Sequence, residues 1–429
     1  MSNSPDNSSG KTGIVPDVRR WIIVAIIFFA LMLNYIDRVT VAFLEKEIKE
    51  MFELNNFGYA VIVNIFIVFY AIMYPVGGWL IGKYGHGKGV RNFMLGAIIV
   101  WSLACGAAAF ARVAWVFGIF RAVLGSAEPM AYAVHIRVMT EWFPRKLRAT
   151  ANNISAAGGT IGMVVAAPLL VGLKEAYDWR AAFLVPAILG LIVAFLWFIF
   201  YRNPPEATRL ENTGDAVGAV SFTWPQLWKT KTLWAIILIR FISDPVWYFC
   251  LFWLPYYLKT PVVDLTERQV GMYGAIPFFF AAIGSVGAGM VSDYLVRKGM
   301  NALRARKVLL TALACCMPVF AITPFIGNPV AVIAIFGLVC AICLTWMFLS
   351  AVCLTETLPS RNTSSALGIA AGFGALGSVI FTQCVGWAFD NIGPIPIFAV
   401  MGFLHLGATC VLWPMMRKET PPGQAAAAS

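Results

Sequence analysis

Twelve apolar segments, each long enough to cross a bilayer as a helix, restrict the possible folds of this chain more than any other feature. They lie near residues 20–43, 58–81, 92–111, 114–139, 149–173, 180–201, 232–258, 269–292, 307–326, 329–353, 363–388 and 394–415. A soluble domain of 429 residues could not bury a chain that is 60% hydrophobic and only 12% charged. The sequence therefore predicts an all-α membrane protein with twelve transmembrane helices.

A long polar stretch between the sixth and seventh segments divides the chain into two halves of six segments each. We expect a disordered cytoplasmic N-terminus, two six-helix bundles, a cytoplasmic linker between them and a cytoplasmic tail. The boundaries predicted for these five parts are 1–18, 19–201, 202–231, 232–416 and 417–429.

The two halves also repeat short sequence features. Residues 140–144 (TEWFP) after the fourth segment are echoed by residues 355–359 (TETLP) after the tenth. In each half a glycine follows the proline by 18 residues, at Gly162 and Gly377. Two pseudo-symmetric halves with a binding site between them are typical of secondary transporters.

The cations in the loops predict the orientation of the chain. Loops on the side of both termini carry 21 Lys and Arg residues, whereas loops on the other side carry seven. Under the positive-inside rule both termini are cytoplasmic, in a multi-pass protein of the cell (inner) membrane. The net charge of +11 is spread over short loops beside the lipid bilayer, so we expect no nucleic-acid partner.

The fourth apolar segment contains two charges, Arg121 and Glu128. Seven residues are about two helical turns, so both side chains lie on one face. A charge near the bilayer centre costs roughly 2.5–3.5 kcal/mol on insertion scales and normally faces a bundle interior or a water-filled cavity. The pattern favours one wall of a transport pathway, with a buried structural ion pair as the alternative.

The first and seventh segments add two more pairs of charges, Asp37 with Arg38 and Arg240 with Asp244. Arginine binds carboxylates through two parallel hydrogen bonds, and a carboxylate whose exposure alternates can load and release a proton. Two structural alternatives remain: Arg38 could snorkel to the interface, and Arg240 and Asp244 could neutralise each other at i, i+4. For His135 we expect a hydrogen-bonded packing role.

Several motifs resemble the major facilitator superfamily over nearly the whole chain. The loops after the second and eighth segments resemble its Gly-x-x-x-Asp-x-x-Gly-Arg/Lys motif, and Arg121-x-x-x-Gly125 its motif in span four. The second-half copy keeps the acid at Asp293, whereas Gly82 replaces it in the first half. In span five, Ala167-Pro168 replaces the Gly-Pro of the antiporter motif, which argues weakly against exchange.

Within that superfamily, residues 34–38 (NYIDR) and Arg121-x6-Glu128 resemble the anion:cation symporter branch. Residues 240–247 (RFISDPVW) are similar to its bacterial hexuronate and sugar-acid transporters. The resemblance implies proton-coupled uptake of a small carboxylate such as galacturonate, glucuronate or galactonate. It also implies that Asp37 and Glu128 carry protons, while Arg38 holds the substrate carboxylate.

A sugar acid also needs hydroxyl partners and a surface on which its ring can stack. The candidate substrate-binding residues are Arg38, Tyr70, Tyr74, Arg121, Arg240, Asp244, Trp247, Tyr248, Trp346 and Gln383. The expected cytoplasmic gating residues are Glu141, Arg148, Asp293 and Arg297. We expect a monomer without metal or cofactor, whose partners are protons, a small organic anion and the lipid bilayer.

Several alternatives stay open from the sequence. An organic-phosphate or anion exchanger on the same fold would use Arg38 and Arg240 as a phosphate clamp, although the embedded acids speak against it. A non-transporting sensor with a transporter body is a second alternative, and sodium is an alternative coupling ion. An enzyme is not expected, because the sequence has no Gly-rich phosphate loop after a strand, no metal-ligand cluster and no nucleophile elbow.

Overall fold

The computed structural model describes residues 17–85, 88–204 and 222–418 and consists of long helices. The helices are α1 (Asp17–Phe43), α2 (Glu45–Phe52), α3 (Asn56–Tyr84), α4 (Lys88–Ala108), α5 (Ala114–Trp142), α6 (Arg145–Ala176), α7 (Ala181–Phe200), α8 (Trp224–Leu227), α9 (Lys231–Leu258), α10 (Glu267–Tyr273), α11 (Ile276–Arg297), α12 (Ala302–Cys316), α13 (Pro329–Thr357), α14 (Ser360–Asn391) and α15 (Ile395–Met415), with a 3-10 helix at Met317–Phe325.

Within these described ranges, eleven helical segments are long and apolar enough to cross a membrane. The remaining long helix is α5, whose apolar character is diluted by charged residues such as Arg121 and Glu128. Together they account for the twelve predicted spans, and the expected all-α membrane fold is confirmed. Of the predicted polar regions, residues 1–16, 205–221 and 419–429 lie outside the described residues.

Two of the predicted spans are not single α-helices. The eighth is divided into α10 and α11, and Pro277 stands in the first turn of α11, where a missing N–H costs little. The ninth ends in the 3-10 helix, which contains Pro318 and Pro324. The apolar pattern is continuous through both places, so it indicates a span without showing the break.

Close helix crossings follow the internal repeat seen in the sequence. A methyl group at Gly162 of α6 would run into the carbonyl oxygen of Met32 in α1. A methyl group at Gly377 of α14 would run into the carbonyl oxygen of Phe241 in α9. The two repeated glycines therefore make equivalent contacts in the two halves, where small residues let helix backbones approach.

The two halves are joined at the end of the bundle where α1 ends and α3 begins, which we call the closed face. Lys174 of α6 bridges Glu47 of α2 and, at 3.1 Å, Glu267 of α10. Lys259, after α9, lies 3.3 Å from Glu45 and 3.6 Å from Glu267. These five side chains form a continuous ion-pair network between the halves.

A second set of polar contacts closes the same face between α3 and α14. The side-chain amide of Asn56 donates to Asp390 Oδ1 at 2.7 Å, and the backbone N–H of Phe57 donates to Asp390 Oδ2 at 2.9 Å. Two turns further in, the Asn64 amide donates to Gln383 Oε1 at 3.0 Å. The two halves are thus hydrogen-bonded from the surface of this face inward.

Candidate functional site

The centre of the amino-terminal half contains a buried ion pair between α1 and α5. The Nε and Nη2 atoms of Arg38 both donate to Glu128 Oε2, at 3.2 and 2.9 Å. Nη2 also donates to Asn34 Oδ1 at 3.1 Å. Arg38 is 4% exposed and Glu128 is fully buried, so a snorkelling role for Arg38 is excluded. Glu128 Oε1 has no hydrogen-bond partner among the described residues.

Aromatic rings surround the guanidinium of Arg38. The ring centres of Tyr35 and Tyr70 lie 4.6 and 4.5 Å from its central carbon, within the range of a cation–π interaction. Tyr74 follows Tyr70 at 5.6 Å and Tyr132 follows Tyr74 at 6.4 Å between ring centres. The predicted residues Tyr70 and Tyr74 therefore lie beside Arg38, in a tyrosine-lined region that offers both ring faces and hydroxyl groups.

Asp37 points away from Arg38, because neighbouring residues on a helix are about 100° apart. The thiol of Cys105 in α4 lies 3.3 Å from Asp37 Oδ1 and 3.6 Å from the carbonyl oxygen of Phe183 in α7. Asp37 is fully buried, and its Oδ2 atom has no hydrogen-bond partner within the described ranges. A buried carboxyl with so few hydrogen bonds is costly when ionised.

Arg121 does not form the ion pair with Glu128 that the sequence left open as a structural alternative. Its guanidinium lies over the ring of Phe66 at 4.6 Å, and its Nε and Nη2 atoms have no partner in the described part of the chain. It interacts electrostatically with both Asp37 and Glu128. Arg121 is therefore a buried cation between the two acids.

The carboxy-terminal half contains a matching pair in α9. Arg240 Nε lies 2.8 Å from Asp244 Oδ2, and the two side chains are 8% and 3% exposed. Arg240 Nη1 donates to the carbonyl oxygen of Met347 at 3.4 Å. Tyr74 and Tyr248 each interact electrostatically with both Arg38 and Arg240. Each half thus presents one arginine–carboxylate pair towards the same group of tyrosines.

Three other predicted substrate residues lie in helix packing or at the closed face. Trp247 packs edge-on against Phe278 of α11, with 6.0 Å between ring centres. Trp346 packs edge-on against His405 of α15 at 5.2 Å. Gln383 is held by Asn64 and donates to the carbonyl oxygen of Phe57 at 3.2 Å. The structure does not place these three with Arg38, and a substrate role for them stays a prediction.

The predicted gating residues lie at the opposite end of the bundle, where α5 and α11 end. Glu141 forms an ion pair with Arg137 at 2.6 Å. Arg148 donates to the carbonyl oxygen of Thr140 at 3.2 Å and so covers the end of α5. Asp293 and Arg297 are both exposed, and neither has an ion pair among the residues that the structure describes.

In the carboxy-terminal half, a charge contact near that end joins α12 to α13. Arg306 Nη1 lies 2.6 Å from Glu356 Oε1. His135, for which a packing role was expected, hydrogen-bonds to Ser155 of α6 at 2.7 Å, and that expectation is confirmed.

Sequence reasoning missed four residues as part of the site: Asn34, Tyr35, Cys105 and Tyr132. Asn34 and Tyr35 lie four and three residues before Arg38, so helical periodicity places all three on one face of α1. That signal was available. Tyr132 lies four residues after Glu128 on α5 and could have been found in the same way. For Cys105 the sequence held no signal, because its partner Asp37 is on another helix.

Comparisons with known proteins agree with this architecture. The model of the Major Facilitator Superfamily matches residues 27–382. The hexuronate transporter of Escherichia coli (strain K12) is 26% identical over 416 residues, which cover 93% of this chain and 94% of the relative. The D-galactonate transporter of Escherichia coli O6:H1 is 28% identical over 417 residues, covering 91% and 94%.

A solved structure shows the same fold. The crystal structure of a D-xylose-proton symporter superimposes with a TM-score of 0.74 at 15% sequence identity, covering 94% of this chain and 99% of the other. The named relatives are transporters rather than enzymes. Because the matching family model covers well over half of the chain, this integral membrane protein belongs to the Major Facilitator Superfamily.

Proposed function

We propose that this protein is a proton-coupled symporter of a small organic anion, most simply a hexuronate or a related sugar acid. Relatives named as hexuronate, galacturonate and D-galactonate transporters support this substrate class. The embedded carboxyls support proton coupling, because a pure anion exchanger has little use for them. Asp37 and Glu128 carry the protons, and Arg38 holds the substrate carboxylate.

The observation that carries the proposal is the buried Arg38–Glu128 pair. While Glu128 is ionised it occupies the Nε and Nη2 donors of Arg38. A proton on Glu128 removes the negative charge that competes for the guanidinium, so a substrate carboxylate can replace it as the partner of Arg38. Proton and substrate therefore favour the same state, and thermodynamic linkage makes each raise the affinity for the other.

Asp37, which lies near Arg121, is a second carboxyl whose protonation changes the net charge of the site. Arg121 is a fixed cation beside both acids, so it stabilises the state in which one of them is ionised. When both Asp37 and Glu128 are neutral, Arg38 and Arg121 keep their positive charges and attract a substrate anion. Because each of the two acids carries at most one proton, two protons per substrate is the largest stoichiometry that they support.

The same charges argue against the organic-phosphate exchanger. A phosphate dianion needs cations that no carboxylate neutralises, but Arg38 and Arg240 each have a carboxylate within 2.9 Å. A monocarboxylate accompanied by a proton fits this arrangement better, because protonation frees one arginine at a time.

Transport then proceeds by alternating access between the two halves. In the inner membrane with both termini cytoplasmic, the closed face is the outer side, so the structure is the state shut to the outside. We expect a monomer, since each half supplies its own arginine–carboxylate pair and the site is complete within one chain.

The experiment that tests the proposal is uptake of labelled galacturonate and glucuronate by purified protein in proteoliposomes. An inward proton gradient should drive accumulation above equilibrium, and collapsing it with a protonophore should abolish that accumulation. Repeating the assay with a sodium gradient at constant pH separates the two coupling ions. The proposal would be overturned if uptake were the same with and without the proton gradient, or if folded protein took up neither acid.

A further inference from the structure

The proposed coupling mechanism does not involve the Arg240–Asp244 pair, although this pair lies in the same tyrosine-lined region as Arg38. Its charges cancel locally, because Arg240 Nε is 2.8 Å from Asp244 Oδ2. A neutral pair is a poor anchor for a second carboxylate. It remains an array of strong hydrogen-bonding groups, since bonds to ionised partners are about twice as strong as those between neutral ones.

The pair is not hydrogen-bonded as a purely structural ion pair should be. Although Arg240 Nε is 2.8 Å from Asp244 Oδ2, its N–H has no well-aligned acceptor in the described ranges, and Asp244 Oδ1 has no donor there. Buried charged groups that serve only stability have their remaining hydrogen bonds satisfied by the protein. Here one donor and one acceptor are left side by side, and both side chains are more than nine-tenths buried.

The helix next to this pair carries glycines where a side chain would collide with its neighbours. A methyl group at Gly374 of α14 would run into Asp244 Oδ2 and lie 3.3 Å from Arg240 Cβ. Two residues earlier, a methyl group at Gly372 would lie 3.1 Å from the carbonyl oxygen of Ala71 in α3. The pair is therefore next to the crossing of α14 with the amino-terminal half, between the two halves.

We propose that Arg240 and Asp244 together determine specificity by recognising hydroxyl groups of the substrate, while Arg38 on the opposite half holds its carboxylate. An alcohol both donates and accepts a hydrogen bond, so one hydroxyl, or two adjacent ones, satisfies the free acceptor of Asp244 and the free donor of Arg240. The substrate class is then a polyhydroxylated monocarboxylate rather than a simple or a dicarboxylic acid. This inference rests on the proposed transport function.

The test uses double variants that keep the site electrically neutral. Arg240→Met with Asp244→Leu removes the hydrogen-bonding groups, whereas Arg240→Gln with Asp244→Asn keeps uncharged donors and acceptors. Competition against labelled galacturonate uptake gives inhibition constants for galacturonate and for cyclohexanecarboxylate, which has a ring and a carboxylate but no hydroxyls. The ratio of the two constants measures how strongly the hydroxyls are recognised.

In the Met/Leu variant we expect this ratio to fall by about tenfold or more, because a site built to hydrogen-bond hydroxyls loses that discrimination when the groups are removed. The constant for cyclohexanecarboxylate should stay within about twofold of the wild type, since Arg38 is intact. The Gln/Asn variant should keep most of the ratio and still accumulate substrate with a proton gradient. Gly374→Ala, which displaces the pair without changing its chemistry, should lower the ratio as well.

An unchanged ratio in the Met/Leu variant, or an equal loss of affinity for both acids, would overturn the inference. Loss of gradient-driven accumulation in the Gln/Asn variant, with exchange retained, would also overturn it by making Asp244 a proton carrier. Wild-type protein is measured first in the same vesicles. If the wild type shows no gradient-driven uptake, the symport proposal fails; if it does and the ratio is insensitive, the hydroxyl-recognition proposal alone fails.

Discussion

The chemistry of the site depends on a single guanidinium that has several simultaneous partners. Arg38 donates to Glu128 and Asn34 and lies close to two tyrosine rings. A planar group with five donors can exchange one carboxylate for another while keeping its ring contacts. A lysine ammonium keeps the charge but has neither the planar face nor the paired donors.

Arg38→Lys should therefore weaken substrate binding by about tenfold or more even though the charge is retained, because charge-assisted bidentate hydrogen bonds contribute on the order of 1.5–3 kcal/mol. The measurement is binding of galacturonate to purified protein by isothermal titration calorimetry. Arg91→Lys is a matched control: Arg91 lies 4.5 Å from the ring of Phe198, away from the site. Equal affinity of Arg38→Lys and Arg91→Lys would rule out this role of Arg38.

The charged residues of this site could be predicted individually, but their pairing could not. A charge inside an apolar segment is visible in the sequence, and so Arg38, Glu128 and Arg121 were all predicted. The spacing along α5 left an ion pair between Arg121 and Glu128 open as a structural alternative. The structure pairs Glu128 with Arg38, 90 residues earlier, because the angle between α1 and α5 decides which side chains meet. The spacing of residues within one helix cannot predict the angle between two helices.

At the scale of the helix, the repeated crossings of α6 on α1 and of α14 on α9 fix the positions of α1 and α9, which carry Arg38 and Arg240. Both crossings depend on the absence of a side chain at the repeated glycine. In a membrane, where helices gain little from excluding water, such close contacts are a main source of association. The position of Arg38 on α1 is therefore set partly by α6.

Gly162→Ala should lower the stability of the protein, since overpacking costs about 1–3 kcal/mol. Gly172→Ala on the same helix should be neutral or slightly stabilising, because a methyl group there meets no atom within 4 Å and alanine favours the helix. Thermal unfolding in detergent compares the two. A melting temperature for Gly162→Ala equal to that for Gly172→Ala would contradict this account of the crossing.

The sequence predicts the existence of the helices better than their interruptions. Hydropathy over about twenty residues identifies a span, and every predicted span corresponds to helical structure. It cannot identify the break between α10 and α11, because the residues on both sides are apolar. Pro277 is the available local signal, and it marks the first turn of a new helix.

For the whole molecule, the closed face connects the halves through charges that the sequence showed only as scattered loop residues. Lys174 and Lys259 were counted as outer-loop cations in assigning the orientation. In the structure they bridge Glu267 to Glu47 and Glu45 across the two halves. Such contacts depend on the relative position of α2, α6 and α10, and a sequence pattern does not predict that position.

Lys174→Gln combined with Lys259→Gln should shift the protein towards the state open on this face, because it removes both cations of the ion-pair network. A population change of about tenfold corresponds to about 1.4 kcal/mol. The loss of several partly buried ion pairs can change the free-energy difference between the two states by this amount. Spin labels at the exposed Tyr177 and Ile392, one in each half, report the opening by electron–electron distance measurements. The mean distance should increase in the double variant.

Lys46→Gln is the control for that experiment, because Lys46 contacts Glu50 within α2 at 4.0 Å and both side chains are largely exposed. Its distance distribution should match the wild type. If the double variant also matches the wild type at low salt, where charge interactions are strongest, the ion-pair network does not hold this face closed.

The most direct test of the central claim, that Glu128 couples a proton to the arginine that holds the substrate, is the behaviour of Glu128→Gln in proteoliposomes. Glutamine keeps the size and polarity of the side chain but cannot exchange a proton. We predict that this variant exchanges labelled for unlabelled galacturonate across the membrane, yet does not accumulate it when a proton gradient is applied. Accumulation by Glu128→Gln to the level of the wild type would contradict the account.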